Sequence, residues 1–459
     1  MASAIPDADK PLSYGCLKCI LQQLEANFRC QLVARLPKIN LAEKAVQLYI
    51  SELIIWEGGF ILNDTNYRLG VIRHAREGPT PGKIKRENKE GGVQNDIDQF
   101  GFENFHLPEL TPGDILIKEY DPTRELDDNL ELAEARLVRY RNLLTDLERE
   151  KRELEDAPEN PAEENFIESD QLSRSKRLES ISYNIQSAKW NLEDSELTVQ
   201  RYQYKRDNRS FPYDMFIQLT KKSSDGTVYT ERFNYNKSLR QAQKYLMSKF
   251  LGNRQLATKI KSLCFAACQR EGFILGFPEG IRLDVQEIKT GLNVADVLQR
   301  VETILEHPNR PFTRLVSGRF ELKDAQSPRV RNAEVLVLYT KNFVDCVALC
   351  RELPNKRVVF PVVRHTQPEQ FGLLVENLID TKKTLGTCYE FTGLEEKDKA
   401  REALRVIAER FETSVVRKRL VSIPLPHQLQ LDVSLIAYQF NLGETLCDIK
   451  IEVVQSQPN

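Results

Sequence analysis

A chain of 459 residues that is 41% hydrophobic and 29% charged has ample length for real cores, and too much apolar content for disorder to be its main state. Its net charge of -2 gives no global pull toward nucleic acid or an anionic membrane. No apolar run approaches the ~20 residues of a membrane helix, and MASAIPDADK lacks the basic start and long apolar centre of a signal peptide. The expectation is an intracellular protein of cytoplasm or nucleus, with its nine cysteines as free thiols.

Residues 11–45 read as helical. Leu17, Ile20, Leu21 and Leu24 recur at i, i+3, i+4 and i+7, a one-sided apolar stripe that suits either an internal core or a docking face. Residues 46–120 form a small β region: "VQLYISELIIW", Gly58-Gly59 and "FILNDTNYRLGVIRHA" predict a hairpin, and "EGPTPGKIKRENKEGG" predicts loop.

Residues 123–207 carry the clearest pattern. Leu126, Leu130, Ala133, Leu137, Tyr140, Leu144, Leu147 and Leu154 follow a 4,3 alternation interrupted at Lys151. Leu178, Ile181, Ile185, Ala188, Leu192, Ser195, Val199 and Tyr202 form a second series, and "EDAPENPAEEN" between them breaks both helices with two prolines. Two helices of roughly 36–42 Å joined by an acidic loop predict an antiparallel coiled-coil hairpin; pairing of each helix with another chain is the alternative.

Residues 211–255 predict a β-hairpin around Asp225-Gly226, then a helix with Ser238 and Gln241 as capping box and Gly252 as its stop. From 256 to 455, strand-like runs ("IKSLCFAA", "IRLDVQEI", "AEVLVLY", "RVVFPVV", "GTCYEFT", "RLVSIPL") alternate with amphipathic stretches, which predicts a parallel sheet with crossover helices. Strand spacing of 20–30 residues fits an irregular leucine-rich-repeat-like α/β array, although the consensus leucine and asparagine pattern is missing. "QLQLDVSLIAYQF" and "CDIKIEVV" read as paired terminal strands.

Signals for chemistry are absent. Cys16-x-x-Cys19 lies within the apolar stripe, with no second ligand pair to complete a metal site. "GPTPGK" fails as a phosphate loop, because its glycines are too close, Ile84 replaces the Ser/Thr and two prolines remove N–H donors. The five histidines are scattered. The expectation is no enzyme, no metal and no cofactor.

The stretch "PLSYGCLKCILQQLEANFRCQLVARLPKI" resembles a divergent F-box. With "NDTNYRLGVIRHAREGPTP", "GGVQNDIDQFGFE", "LTPGD" and "ERFNYNKSLRQAQKYL", residues 11–255 are similar to a nematode family of F-box C-type proteins. The resemblance implies that Pro11 and Leu12 take the leading Leu-Pro segment in reversed order, and that Leu17, Ile20, Leu21 and Leu24 take the first-helix positions. Phe28, Leu32 and Val33 fall on the next helix, while Arg35-Leu36-Pro37 stands where an F-box commonly carries a basic-Trp pair. It further implies a Skp1-like adaptor protein as partner and a protein target on the C-terminal half, with no nucleic acid and no membrane.

The expected fold is thus α+β and multidomain: an F-box-like helical N-terminus, a small β region, an antiparallel coiled-coil hairpin, a β-hairpin plus helix, and a leucine-rich-repeat-like α/β domain. The expected function is a protein-interaction adaptor in a Skp1-cullin-F-box ubiquitin ligase. The alternative is a structural scaffold acting through its coiled coil without Skp1 binding.

Overall fold

Three short helices begin at side-chain caps or after a proline. The computed structural model describes residues 12–104, 109–118, 129–156, 174–266, 273–340, 343–361, 367–394, 397–439 and 445–456. Pro11, His106, Leu126, Cys268, His365 and the two-proline loop after Asp156 lie outside the described residues. Helix α1 (Tyr14–Gln23) opens where Ser13 Oγ accepts from the Cys16 amide; α2 (Ala26–Arg35) opens where the Glu25 carboxylate accepts from Asn27 and Phe28. Pro37 starts a 3-10 turn that ends α2 and leads into α3 (Asn40–Lys44).

Strands β1 (Tyr49–Trp56) and β2 (Gly59–Leu62) form the expected hairpin, and β3 (Thr65–Ala75) extends it to a three-stranded meander with a second turn at residues 63–64. Residues 82–89, expected as loop, instead form helix α4 (Gly82–Lys89), because Pro81 precedes its first turn and Ile84 is buried beneath it. Short strands β4 (Asp96–Ile97), β5 (Glu103–Asn104) and β6 (Asp114–Lys118) follow. Helices α5 (Leu130–Asp156) and α6 (Arg174–Arg206) pack on each other within the chain and run antiparallel. Arg141 faces Glu196 at 3.4 Å, Lys189 faces Glu148 at 3.3 Å, and Arg174 reaches the Leu154 carbonyl at 3.1 Å.

Next come β7 (Tyr213–Lys222) and β8 (Val228–Asn234), turned at Gly226 with φ +83°, and α7 (Leu239–Leu251), which carries the Ser238–Gln241 capping box. The remainder runs β9 (Thr258–Phe265), β10 (Phe273–Gly276), β11 (Leu283–Asn293), α8 (Val294–Arg300), β12 (Arg314–Arg319), α9 (Pro328–Arg331) and β13 (Val335–Leu338). Then follow α10 (Phe343–Glu352), β14 (Arg357–Pro361), α11 (Pro368–Asp380), β15 (Cys388–Leu394), α12 (Lys397–Arg410) and β16 (Val415–Arg417). The last strands are β17 (Leu420–Leu425), β18 (Leu429–Gln439) and β19 (Thr445–Gln455).

Fifteen of these strands join in one mixed sheet, ordered β16-β17-β18-β19-β15-β14-β13-β12-β11-β9-β1-β2-β3-β7-β8. The block from β1 to β15 is parallel, and each strand from β12 to β15 lies beside its predecessor. The sheet runs without a break across the boundaries expected near 46, 211 and 256, because β1 pairs with β9 about 200 residues later in the chain. β12 was not foreseen. "RLVSGR" is short and carries Gly318 one residue before its end, where an added Cβ would meet Gly291 Cα at 2.9 Å.

One face of this sheet carries the core. Leu263, Ile288, Leu315, Leu336, Phe360 and Phe391 are buried there under Val297, Leu349, Phe371, Leu374 and Ala403 of the crossover helices. On the opposite face Val316, Val337 and Val359 form one register row outside that core, with Lys289 on one side of the row and Glu390 on the other. In β1, β9 and β11 the buried apolar series steps by three instead of two at the same level (Ile50 to Leu53, Ile260 to Leu263, Val285 to Ile288). All three strands therefore change phase together and keep the core face continuous.

Candidate functional site

The helical cap, α1 to α3, divides its apolar residues between two faces. Leu21 is fully buried with Ala42 and Val46, and Leu17, Leu24, Leu32 and Ile39 pack around them. Leu12, Ile20 and Phe28 point outward, 45–56% exposed, and Tyr14, Leu36 and Leu41 are exposed as well. The residues singled out in the sequence thus fall into an inner set of Leu17, Leu21, Leu24 and Leu32 and an outer set of Leu12, Ile20 and Phe28. Cys16 and Cys19, expected on the packed stripe, are both exposed, because the stripe turns inward on the side of Leu17 and Leu21.

A polar seat holds the cap on the sheet. Asn27, 4% exposed, donates to the Leu62 carbonyl at 3.0 Å and accepts from the Tyr67 hydroxyl at 2.9 Å. Glu25 accepts from Asn27 and from Asn63, so the "LEAN" and "NDTNY" blocks meet through their side chains. Arg29 is 1% exposed; it donates to the Gln47 carbonyl at 2.7 Å and pairs with Glu43 at 2.9 Å. Glu43 also pairs with Arg254, just beyond α7.

Lys44 donates to the carbonyls of Lys249 and Phe250 at 2.7 and 3.2 Å, capping the C-terminal end of α7 with positive charge. Burial, with Arg254 nearby, pushes its ammonium down to about 8. Burial raises the Cys30 thiol to about 11 and raises Tyr67 as well. These buried charges left little trace in the sequence, since each stands among other polar residues of a short helix and reads like a surface charge. Only the specific "NDTNY" block hinted at its partners.

Beside the seat a cleft of about 1290 Å³ opens between α2–α3, α7 and the β7–β8 hairpin. Val33, Leu41, Tyr67, Lys221, Tyr229 and Tyr245 are among its lining. Tyr67, Lys221 and Tyr229 form a register row across β3, β7 and β8.

The α5–α6 arm is fastened at its base. Lys83 and Arg86 of α4 pair with Asp194 and Glu193, Arg86 lies 5.2 Å from the centre of the Trp190 ring, and buried Arg73 pairs with Glu87. Along α6 the expected series is the inward line, with Ile181, Ile185, Ala188, Ser195 and Val199 buried. The matching line on α5 is only half-buried except at Ala133.

Among the described residues, no group of three His, Cys, Asp or Glu side chains could hold a metal ion. His74, His307 and His427 are each exposed and sit on separate elements.

The fold is mixed α/β, and no helix among the described residues is long and apolar enough to cross a membrane. Residues 238–395, from the N-cap of α7 to the end of β15, match a family described as a domain of unknown function, DUF3557. Searches of curated proteins and of solved structures return no match.

Proposed function

We propose that this chain is a non-enzymatic interaction adaptor whose cap is an F-box-like module gripping a Skp1-like subunit of a ubiquitin ligase. In this reading the C-terminal parallel strands are a leucine-rich-repeat-like array that holds a protein target. The observation that carries it is the division of the cap. Its own core is filled by Leu17, Leu21 and Leu24, yet Leu12, Tyr14, Ile20 and Phe28 remain exposed. An amphipathic helix with a second, outward apolar set has the anchors that helix-in-groove recognition uses. Side-by-side addition of β12 to β15, each next to the strand before it, supports the array.

The test is co-purification with Skp1. Ile20→Asp with Phe28→Asp is expected to abolish it and leave the thermal melt unchanged, since neither side chain is in the core. Wild-type protein that fails to bind Skp1 at tens of micromolar would overturn the reading.

A second reading is a scaffold working through its coiled-coil arm. It is favoured by the half-buried line on α5 and by Val138 and Tyr183, 55% and 73% exposed. In that case Val138→Asp with Tyr183→Asp abolishes partner binding and the cap variants do not.

A further inference from the structure

Strand β8 ends the sheet and is exposed along nearly its whole length, only Glu231 being half-buried. The Ser223 amide donates to the Thr227 carbonyl at 3.0 Å, which sets the phase of the hairpin ladder. Tyr229, Glu231 and Phe233 then spend their backbone groups on β7, and Thr230 and Arg232 turn theirs outward. An edge with free N–H and C=O groups is a template for another strand.

The ground next to this edge has a definite chemistry. Tyr229, Glu231 and Phe233 share the face that borders the cleft, and Tyr229 and Phe233 are about half exposed. Cations dominate around them. The Lys221 ammonium lies 5.7 Å from the Tyr67 ring centre, and Lys249 and Lys237 lie 4.7 and 5.7 Å from that of Tyr245. Arg35 lines the cleft from the end of α2. Among the described residues none of these four cations has a carboxylate at ion-pair distance, and the facing carboxylates are Asp225 and Glu231. Asp225 is engaged by the Thr227 amide and Glu231 by the Tyr229 hydroxyl.

We propose that β8 and its cleft receive an extended acidic segment of a partner protein, added antiparallel or parallel to β8 as a further strand. Its backbone completes the outward hydrogen bonds of Thr230 and Arg232. Its carboxylates meet Lys221, Lys249 and Arg35, and its apolar side chains cover Tyr229, Phe233 and Leu41. A second copy of this chain is a poorer occupant. The symmetric antiparallel pairing that sets Tyr229 against Phe233 also sets Glu231 against Glu231, which is repulsive. Single-stranded nucleic acid would meet the lysines and tyrosines but would leave the strand edge unpaired and bring phosphates against Glu231. This surface is separate from the outer face of Leu12, Ile20 and Phe28, so its test stands apart from the Skp1 experiment.

The probe is a fluorescein-labelled eight-residue peptide of alternating glutamate and valine, titrated with the full chain and read by anisotropy. Its lysine–valine counterpart and an eight-nucleotide oligothymidylate serve as comparisons. Binding of the acidic peptide alone is expected, weakened about tenfold or more by Thr230→Pro, which removes one outward N–H, and similarly by Lys221→Glu. Lys249→Glu, on an exposed side chain that cannot disturb the core, should weaken it as well. Absence of binding, equal binding of the lysine peptide, tighter binding of the oligonucleotide, or indifference to Thr230→Pro would each overturn the proposal. Dimerisation through β8 that Thr230→Pro abolishes, without peptide binding, would overturn it in favour of a second copy.

Discussion

Two helical layers cover this sheet, and they are attached by opposite means. Helices α10, α11 and α12 sit on the sheet mainly through apolar contacts, with Phe343, Phe371 and Phe391 stacked edge to face or tilted at 4.8–5.4 Å, beside one buried hydrogen bond from the Tyr389 hydroxyl to the Cys350 carbonyl. The cap sits through Arg29, Glu43, Lys44 and Asn27, with a few apolar residues such as Ala26 beside them. Apolar burial is non-directional and adds up with area. Buried ion pairs repay little net energy against desolvation, but breaking one partner is costly. The first layer is therefore held by amount, the second by geometry.

The largest effect should come from the first layer. Phe371→Ala removes a side chain that touches two other rings and is expected to cost about 3–5 kcal/mol in denaturant unfolding of the whole sheet. Glu43→Gln should cost a comparable or smaller amount, up to about 3–5 kcal/mol, because Arg29 and Arg254 lose their shared anion. The difference lies in where the loss appears. Hydrogen exchange should accelerate in α2 and α3 for Glu43→Gln and throughout β13–β15 for Phe371→Ala. Equal spread in both variants would remove the distinction between the layers.

Acidity sharpens the comparison further. Lys44 titrates near 8 in the folded chain against an ordinary value of 10.5, so the folded state binds fewer protons and stability rises with pH between those values. Cys30 titrates near 11 against an ordinary 9, so its contribution falls across that window. Burial also raises Cys264, Cys346, Cys350 and Cys388, which oppose the rise from about pH 8 upward, so the Lys44 part, below about 1.4 kcal/mol per pH unit, is read as a difference between variants. Relative to the unchanged chain, Lys44→Met should lower the slope of stability against pH between about 8 and 10.5, and Cys30→Ala should raise it between about 9 and 11. Unfolding midpoints at half-unit pH steps measure both. The smallest effect belongs to a local cap: Ser238→Ala should cost about 1 kcal/mol and fray the first turn of α7.

The sequence was most legible where a period repeats. From Leu130 onward the two heptad-like series fall on buried or half-buried positions of α5 and α6, because residues three or four apart share one helix face. The alternation of strands and helices after residue 256 was legible for the same reason. Pairing of β1 with β9 was not, since a register between strands 200 residues apart leaves no local mark. Nor was the cap seat: Arg29 and Glu43 read as ordinary surface charges until their partners are seen. The stripe from Leu17 to Leu24 showed that the cap has an apolar face, yet Ile20 turns out where Leu21 turns in, and spacing alone does not separate neighbours at i and i+1.

The sheet order has a consequence for the shared stretch, residues 238–395. Its first strand is β9 and its last is β15, and in this chain both are flanked by strands from outside the match, β1 on one side and β19 on the other. The matched piece is thus a middle segment of a longer ribbon. Expressed by itself it would present two raw, hydrogen-bond-hungry borders and should aggregate unless something else supplied the missing strands. The matched segment and the folding unit therefore have different limits: the stretch that resembles the family is not all that this chain needs in order to close its sheet.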